Sequence, residues 1–587
     1  MGVWGICWEL DRRVAGKVEY THMRYSQLFG KSLRNVHHNV RSKGYALLLR
    51  GGFVRGLGAG LYSFLPLGTR VVEKLYTIIR EEMEQLEGQE VTVPLVNPVE
   101  IWQRSGRDRL VGSDMIRFRD RGGKTMVLAP SHEEAFVELV KNGIRSYRDL
   151  PLFLYQFQHK YRDEERTRSG LLRTKEFTMK DAYSFHRSSS DLNNFFPKVF
   201  AAYERIFRRC GLDIEAAESG VGYMGGEKAY EFVVPCEHGD DIMIRCPNCG
   251  YKANRDVAMG LKDFTSGSPK PISKVDTPGC NTMDKLSQAL SLPKRQLVKS
   301  MLLKTLDGVV MAVVRGDNEV SLEKLTRYLK EPVLDIADSD EVKKHGFVPG
   351  YLSPIGRHDE IPVIVDGAVA KSTNLVIGAN EEGVYYQNSN FGRDYESSHV
   401  SDISMITGEN RCLQCGGQLE AVRALELGNI FKLGDFYSRS MKLSFREESG
   451  KIVYPHMGSY GIGIGRLVGA VAEKLHDERG LQWPSELTPF IFFLMGIGAS
   501  PTVRQKVEWI YSRFQGEILL DDRKESPGKK FQDAELLGIP YRIVVSPKRQ
   551  EEDKVEFFDR KNNRSWLVHT NKVLQEMDKL RMAMQRH

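Results

Sequence analysis

Cysteine is scarce in this chain, with eight in 587 residues, too few for a secreted disulfide scaffold. Long apolar runs are missing as well; none reaches the ~18–20 residues that a membrane helix needs. The stretch Met1 to Cys7 is apolar, but Glu9, Asp11, Arg12 and Arg13 break it, so it is not expected to act as a signal peptide. Neither sign of charge dominates, since 84 Lys+Arg face 77 Asp+Glu for a net of +7. That balance permits a polyanionic partner without demanding one. Internal repeats and low-complexity tracts are absent too. What is there, 41% hydrophobic and 27% charged residues, is the composition of a globular chain of several domains, for which a cytoplasmic location is expected.

Four of the cysteines form two C-x-x-C pairs, Cys246-Pro-Asn-Cys249 and Cys412-Leu-Gln-Cys415. Each is a knuckle that can close half of a tetrahedral zinc site. The 162 residues from 250 to 411 far exceed the loop of a zinc ribbon. An inserted domain fills that gap, with the knuckles pinning its two connections. A ligand set lost in part and a redox pair are the competing readings. Cys236 and His238 form a nearby C-x-H of no comparable weight.

Hydrophobic periodicity orders the rest. Val72, Leu75, Ile78, Ile79, Met83 and Leu86 recur every three or four residues, giving an apolar helical stripe that Gly88 ends. Val91-Thr-Val-Pro-Leu-Val reads as a strand, and Pro94 assigns it to an edge or interface. Leu152 to Tyr161 and Thr174 to His186 read as two strands of a hairpin around a polar, basic loop. Alternation returns in Gly308-Val-Val-Met-Ala-Val-Val, ahead of a helix at Leu322 to Leu329, as expected of an α/β insertion. The last hundred residues alternate strands (490–494, 517–520, 541–545) with helices (503–514, 531–537, 572–584), an α/β unit with a mostly parallel core.

Two segments carry the chemistry. In the hairpin, Tyr161-Arg162-Asp163-Glu164 closes one strand, Arg173-Thr-Lys-Glu176-Phe177 opens the next, and Asp181-Ala-Tyr-Ser-Phe185-His186 continues it. A guanidinium on a rigid strand suits charge that builds on phosphate oxygens. The second segment is Gly458-Ser459-Tyr-Gly461-Ile-Gly463-Ile-Gly465-Arg466 before an apolar helix. Glycines spaced by two allow a nucleotide close to backbone at a helix N-terminus. A Rossmann fingerprint is excluded by the G-x-G-x-G spacing and by the lack of a following strand with an acidic residue.

Together these segments resemble motifs 2 and 3 of the class II aminoacyl-tRNA synthetases, with the helix–strand unit near Thr69 to Pro98 resembling motif 1. Pro130-Ser131-His132-Glu133-Glu134 narrows the resemblance to the bacterial-type prolyl-tRNA synthetases, and it covers nearly the whole chain from Met23. The resemblance implies an α/β multidomain protein. Residues 23–223 and 408–488 would be two halves of an antiparallel-sheet catalytic core, 224–407 an α/β editing-type insertion and 489–587 an α/β anticodon-binding domain. Residues 1–22 would be an upstream extension, with Met23 as the start.

It also implies roles. Arg162 would meet the α-phosphate of ATP, Glu164 the adenine amino group and Phe177 the adenine ring. Arg173, Gly463 and Gly465 would complete the nucleotide site, and Arg466 would hold the terminal phosphates as a planar, permanently charged fork. Ser131 and Glu133 would bind the cationic amine of proline, with Phe185, His186 and Ser459 walling the pocket. Ser459 and Asn429 stand where many relatives have cysteine and histidine. Alanine and cysteine are the expected wrong substrates, since a small pocket rejects smaller rivals poorly. Lys299, Gly350 and Asp366 match positions of the insertion that hydrolyses alanine misplaced on the tRNA, and Tyr385 replaces a histidine there. Arg166 would read the tRNA acceptor end, and Arg523 and Lys524 of the tail domain would also meet the tRNA. ATP, magnesium (Glu426 a candidate ligand), a structural zinc on Cys246, Cys249, Cys412 and Cys415, tRNA(Pro) and a homodimer follow from the same resemblance. Three rivals fit less well. A threonine or serine ligase lacks this insertion and loop, a non-catalytic relative loses the two arginines, and a zinc-ribbon nucleic-acid binder has no ATP motifs.

Overall fold

The computed structural model describes residues 23–165, 167, 169–356, 361–514 and 517–585; the expected extension at 1–22 lies outside them. Nine elements of the central domain position the site. They are α1 (Pro66–Glu84), α2 (Glu133–Val140), β1 (Leu152–Tyr161), β2 (Glu176–His186), α3 (Ser189–Arg209), β3 (Lys228–Pro235), β4 (Glu420–Gly434), β5 (His456–Gly463) and α4 (Ile464–Lys474). A nine-stranded sheet carries them, with β4, β5, β2 and β1 adjacent at its centre and β3 also paired to β4. The expected hairpin is present: β1 and β2 pair antiparallel from Leu152–Phe185 to Tyr161–Glu176.

Helices α1, α3 and α4 cover one face. The stripe of α1 (Val71, Leu75, Ile78, Ile79, Met83) and that of α3 (Phe196, Val199, Tyr203, Ile206) share one buried cluster with α4, as three- and four-residue spacing requires. Ser188 caps α3 by accepting from the Asp191 amide, which satisfies one of the unpaired N–H groups of the first turn. The buried Glu82 of α1 takes Arg205 at 2.7 Å and Arg209 at 3.3 Å from α3.

Three expectations shift. Val91 to Val96 is not one strand: Gln89–Glu90 joins the sheet beside β1, and Val96–Pro98 joins a separate three-stranded sheet. Between them Pro94 cannot donate to a ladder, and side chains replace it. Gln156 Oε1 accepts from Val93 N at 3.0 Å, and Gln158 Nε2 donates to Val93 O at 2.6 Å. The insertion also begins later than 224, because β3 and the strands Asp241–Arg245 and Lys252–Asn254 belong to the nine-stranded sheet. Beyond Asn254 lie a three-stranded sheet (273–276, 375–381, 384–389) and a five-stranded one (298–305, 309–315, 333–336, 363–366, 399–401). The connections in and out pair antiparallel, Gly260 with Cys412 and Leu261 with Arg411. Finally, the C-terminal sheet contains strands Lys554–Asp559 and Arg564–His569 that alternation alone did not single out. Its edge is Met23–Arg24, parallel to Leu519–Leu520.

On the helix-covered face of the sheet, β2 buries a lysine. Lys180 Nζ donates to Tyr203 Oη at 2.8 Å and is fully shielded from solvent. Burial pushes its pKa from the ordinary 10.5 down to about 7. The unfolded chain therefore holds one more proton between pH 7 and 10.5. Stability rises with pH across that window, and the cost of the charged lysine is fully present below pH 7. Lys180→Met is expected to stabilise the protein most at pH 6 and progressively less towards pH 10. The wild type should carry an extra slope of up to about 1.4 kcal/mol per pH unit between pH 7 and 10 that the variant lacks, measured as the difference between their denaturation curves.

Candidate active site

Successive residues of a strand face opposite ways, and the open face of the sheet is set by this rule. Phe177, Met179, Asp181 and Tyr183 of β2, Ser459 and Gly461 of β5, and Asn429 and Phe431 of β4 line a trough on that face. Glu426 joins them through a bulge. The β3–β4 register shifts between Phe232 and Val233, opposite Gly428 and Glu426, so that β4 carries one extra residue. The larger part of the trough is a cavity of about 280 Å³ and the smaller one of about 40 Å³; both are bordered by Arg162, Met179, Glu426, Asn429 and Gly461.

Both arginines border the narrow end of the trough. Arg162 donates from Nε to Pro130 O at 3.2 Å, and its guanidinium carbon sits 5.3 Å from the Phe177 ring centre. Arg466, in the first turn of α4, donates to Leu172 O at 2.9 Å and meets Glu426 Oε2 at 3.2 Å. Glu164 is engaged by Arg173 through two bonds of 2.6 and 2.9 Å to Oε2, and Arg173 also reaches Asp240 at 3.2 Å. Gly463 borders this end; Gly465 does not, and an added Cβ there would meet only Phe64 at 3.8 Å. The tight approaches are instead at Gly428, whose Cβ would lie 2.7 Å from Gly461 O, and at Gly461, 3.0 Å from Asn429 Oδ1.

Beside Arg466 stand three carboxylates, Glu426, Glu231 and Asp241. Burial, then the charge of Glu426, raises the Asp241 pKa to about 6, against the pull of Arg466. Burial, Glu426 and Asp241 push Glu231 well above the carboxylate range. Asp241 and Glu231 are thus biased towards their protonated forms, and positive charge brought beside them would favour the ionised ones.

The wide end is closed by the 130–133 loop and the start of α2. Ser131 and Glu133 line it and are almost wholly buried. Glu133 Oε1 accepts from Ser459 Oγ at 2.9 Å. The adjacent His132 is neutral at any physiological pH, since burial lowers its pKa to about 3. Two expected wall residues do not reach the cavity. Phe185 follows Tyr183 on the same face but is submerged in the cluster around Phe136. His186 has the opposite parity, points to the other face and lies 3.3 Å from Asp191.

Sequence reasoning missed Arg107, Glu134, Asp181 and Tyr183. Arg107 is completely buried, and it donates to Glu134 Oε2 at 2.9 Å, Glu133 Oε2 at 3.2 Å and Ser131 Oγ at 2.8 Å. Asp181 pairs with Lys160 at 2.7 Å and accepts from Tyr183 Oη at 2.8 Å. The alternation Phe177, Met179, Asp181, Tyr183 was a usable signal for the last two; nothing local marks Arg107 among 84 basic residues.

In the insertion, Lys299 and Gly350 border one cavity of about 340 Å³. Tyr385 forms part of its wall, with Oη 2.7 Å from Cys280 O and 3.2 Å from Gly350 O. Asp366 is elsewhere. It is fully buried, accepts from the amides of Ala368 (2.9 Å) and Ile403 (3.1 Å), and binds Lys262 at 2.8 Å. The four knuckle cysteines converge at the neck of the insertion, all sulfurs lying within 4.8 Å of one another, with Cys246–Cys415 at 3.5 Å and Cys249–Cys412 at 3.6 Å. A tetrahedral ZnS4 centre with bonds near 2.3 Å has sulfur edges of about 3.8 Å, so the four fit that ion. Cys236 packs in the core around α3 and His238 faces Glu473 at 3.5 Å.

Of the expected tRNA contacts, Lys524 is exposed, whereas Arg523 turns inward. It is bound by Asp521 at 2.7 Å and Asp533 at 2.9 Å and lies 3.7 Å over the Tyr25 ring, tying the N-terminal edge strand to the C-terminal sheet. Arg166 lies outside the described residues.

Comparison with known proteins agrees with this geometry. Residues 116–475 match the tRNA synthetase class II core domain (G, H, P, S and T), and residues 496–580 match an anticodon-binding domain. The chain is 39% identical over 561 residues to a proline–tRNA ligase of Dehalococcoides mccartyi, covering 94% of this chain and 98% of that protein. It is 40% identical over 536 residues to a proline–tRNA ligase of Thermotoga maritima, covering 90% and 92%. A prolyl-tRNA synthetase crystal structure from Cryptosporidium parvum, complexed with halofuginone and AMPPNP, superposes with a TM-score of 0.55 at 12% identity over 92% of this chain and 77% of that one, a likeness of fold.

Proposed function

The chain belongs to the proline–tRNA ligases among the class II aminoacyl-tRNA synthetases, and from that premise we propose how its trough activates proline with ATP and loads it onto tRNA(Pro). The observation that carries the reading is the placement of Arg162 and Arg466 at the narrow end of one trough, with Phe177 beneath Arg162 and Ser131 and Glu133 at the far end. Adenine stacks on Phe177 and is addressed by Glu164, which Arg173 orients. The proline carboxylate attacks the α-phosphate beside Arg162, and Arg466 holds the terminal phosphates that leave as pyrophosphate. Fixed guanidinium groups need no reorganisation as this charge develops. Magnesium bound at Glu426, with Glu231 and Asp241 beside it, would neutralise phosphate charge. The amine of proline sits against Glu133 and Ser131, with Ser459 steadying the carboxylate.

The insertion cavity at Lys299 and Gly350 is proposed to hydrolyse alanine misplaced on tRNA(Pro), with Tyr385 narrowing the space. Asp366 supports this cavity's domain through Lys262 and does not enter the reaction. A structural zinc at Cys246, Cys249, Cys412 and Cys415 closes the neck of the insertion. Arg166 and Lys524 are proposed to meet the tRNA. The enzyme works as a cytoplasmic homodimer; among the described residues no helix is long and apolar enough to cross a membrane.

Three measurements test these roles. ATP–pyrophosphate exchange without tRNA, run with each amino acid in turn, is expected to be strongest with proline and to fall at least about a hundredfold in Arg162→Ala; exchange led by another amino acid would refute the pocket reading. Purified enzyme is expected to deacylate Ala-tRNA(Pro) and Lys299→Ala to lose most of that activity while keeping exchange; no deacylation by the wild type would remove editing from the account. Metal analysis is expected to find one zinc per chain, lost in Cys412→Ser together with several degrees of thermal stability; a metal-free wild type of unchanged stability would leave the knuckles without an ion.

A further inference from the structure

Arg107 is a guanidinium that cannot shed its proton and has no access to solvent. Trp102, Tyr223 and Tyr437 enclose it, with ring centres 4.9, 5.6 and 5.5 Å from its guanidinium carbon. A charge in such a place must be matched by others. Two carboxylates touch it, and they differ. Glu134 presents both oxygens to Nη1, at 2.9 and 3.1 Å, and faces away from the trough. Glu133 gives only Oε2, at 3.2 Å, and lines the trough. Of the charges close by, Lys160 and Asp181 pair at 2.7 Å and His132 is neutral, while Arg162, which also borders this cavity, is turned to Pro130 O and the Phe177 ring and touches neither glutamate. Within the cluster in direct contact, one cation thus stands against two carboxylates, which leaves that cluster short by one positive unit. Where the pair holds a proton, which burial of Glu134 favours, the count closes, and an arriving cation takes the place of that proton.

We propose that Arg107 and Glu134 are positioning residues that set this count, so that the pocket has one place for a monocation and selects the charged secondary amine of proline over an uncharged ring of the same shape. Glu134 satisfies Arg107 from behind and leaves Glu133 to face the amine. Arg107 also donates to Ser131 Oγ at 2.8 Å and to Tyr223 O at 3.1 Å, so the same ion fixes the hydroxyl beside Glu133 and the 221–224 loop across the cavity. Glu134 never touches substrate, yet removing its charge lets Arg107 neutralise Glu133 and closes the place for a cation. The inference rests on the reading that Glu133 meets the proline amine.

The test compares proline with tetrahydrofuran-2-carboxylate, which has oxygen in place of the charged ring nitrogen, in ATP–pyrophosphate exchange on the full chain. Glu134→Gln is expected to raise KM for proline about tenfold or more, leave KM for ATP unchanged, and alter the inhibition constant of the uncharged analogue by less than about threefold. Glu134→Asp, which keeps the charge, is expected to retain the wild-type ratio of the two constants. Both constants are read on the active fraction, so partial misfolding leaves the ratio intact. A parallel shift of both constants in Glu134→Gln, or no shift in either, would overturn the proposal, as would loss of discrimination in Glu134→Asp. Glu133→Gln separates the two levels: an unchanged KM for proline there refutes the amine reading itself, whereas a raised one with Glu134→Gln silent refutes only the charge count.

Discussion

Strands β2 and β5 pair with His186 opposite His456 and Met179 opposite Gly463, and no short turn holds that register. A slip of one residue would send Asp181 and Tyr183 to the helix side and Lys180 into the trough. The register is pinned from behind. Tyr460 of β5 and Ser184 of β2 share a hydrogen bond of 2.7 Å, and Gly458 has no Cβ because one would lie 2.0 Å from Tyr460 Oη. Gly461 on the open side, where a Cβ would meet Asn429 Oδ1, and Gly428 on the helix side, where one would meet Phe207 and Ile462, let β4 and β5 approach closely. The glycines of the third motif thus serve strand packing as much as ligand approach, and the arginine at its end takes its position from the same pairing.

Buried charge is the second organising feature. Arg107, Lys160 and Asp181 all lie at or beneath the trough and are each matched at short range. Such pairs are poor contributors to net stability because desolvation offsets their attraction. Their value lies in orientation: an ion held from two sides cannot wander, and the loops that bind it cannot either. Lys180, on the opposite face, donates to a phenol and a carbonyl, and burial lowers its proton affinity against the pull of Asp181.

How much of this was legible in the sequence depends on distance along the chain. The β1–β2 hairpin is local, and its alternation gave both strands to within two residues. Arg162, Glu164, Phe177 and Arg466 border the trough because they sit on elements whose periodicity was plain. His186 was misplaced for the opposite reason: it is adjacent to Phe185 in sequence, and adjacency in a strand means opposite faces. Arg107 and Glu134 are 27 residues apart and meet only through tertiary packing. Asp366 sits at a strand end next to a helix, where its carboxylate is consumed as a cap, and Arg523 is drawn under by two aspartates and Tyr25. No pattern in a single sequence distinguishes an arginine that turns in from one that turns out.

The neck of the insertion has a consequence for how the sheet assembles. Strands β3 and β4 are neighbours, although a whole domain separates them in the chain. Closing a flexible segment of 162 residues costs on the order of 4–5 kcal/mol of chain entropy. The ladder at Gly260–Cys412 and the converging knuckles place both ends of that segment side by side, so most of this cost falls on the neck and not on the sheet. To the central domain, the insertion then amounts to a short loop. Length and sequence beyond the neck can vary without disturbing the register on which the trough depends.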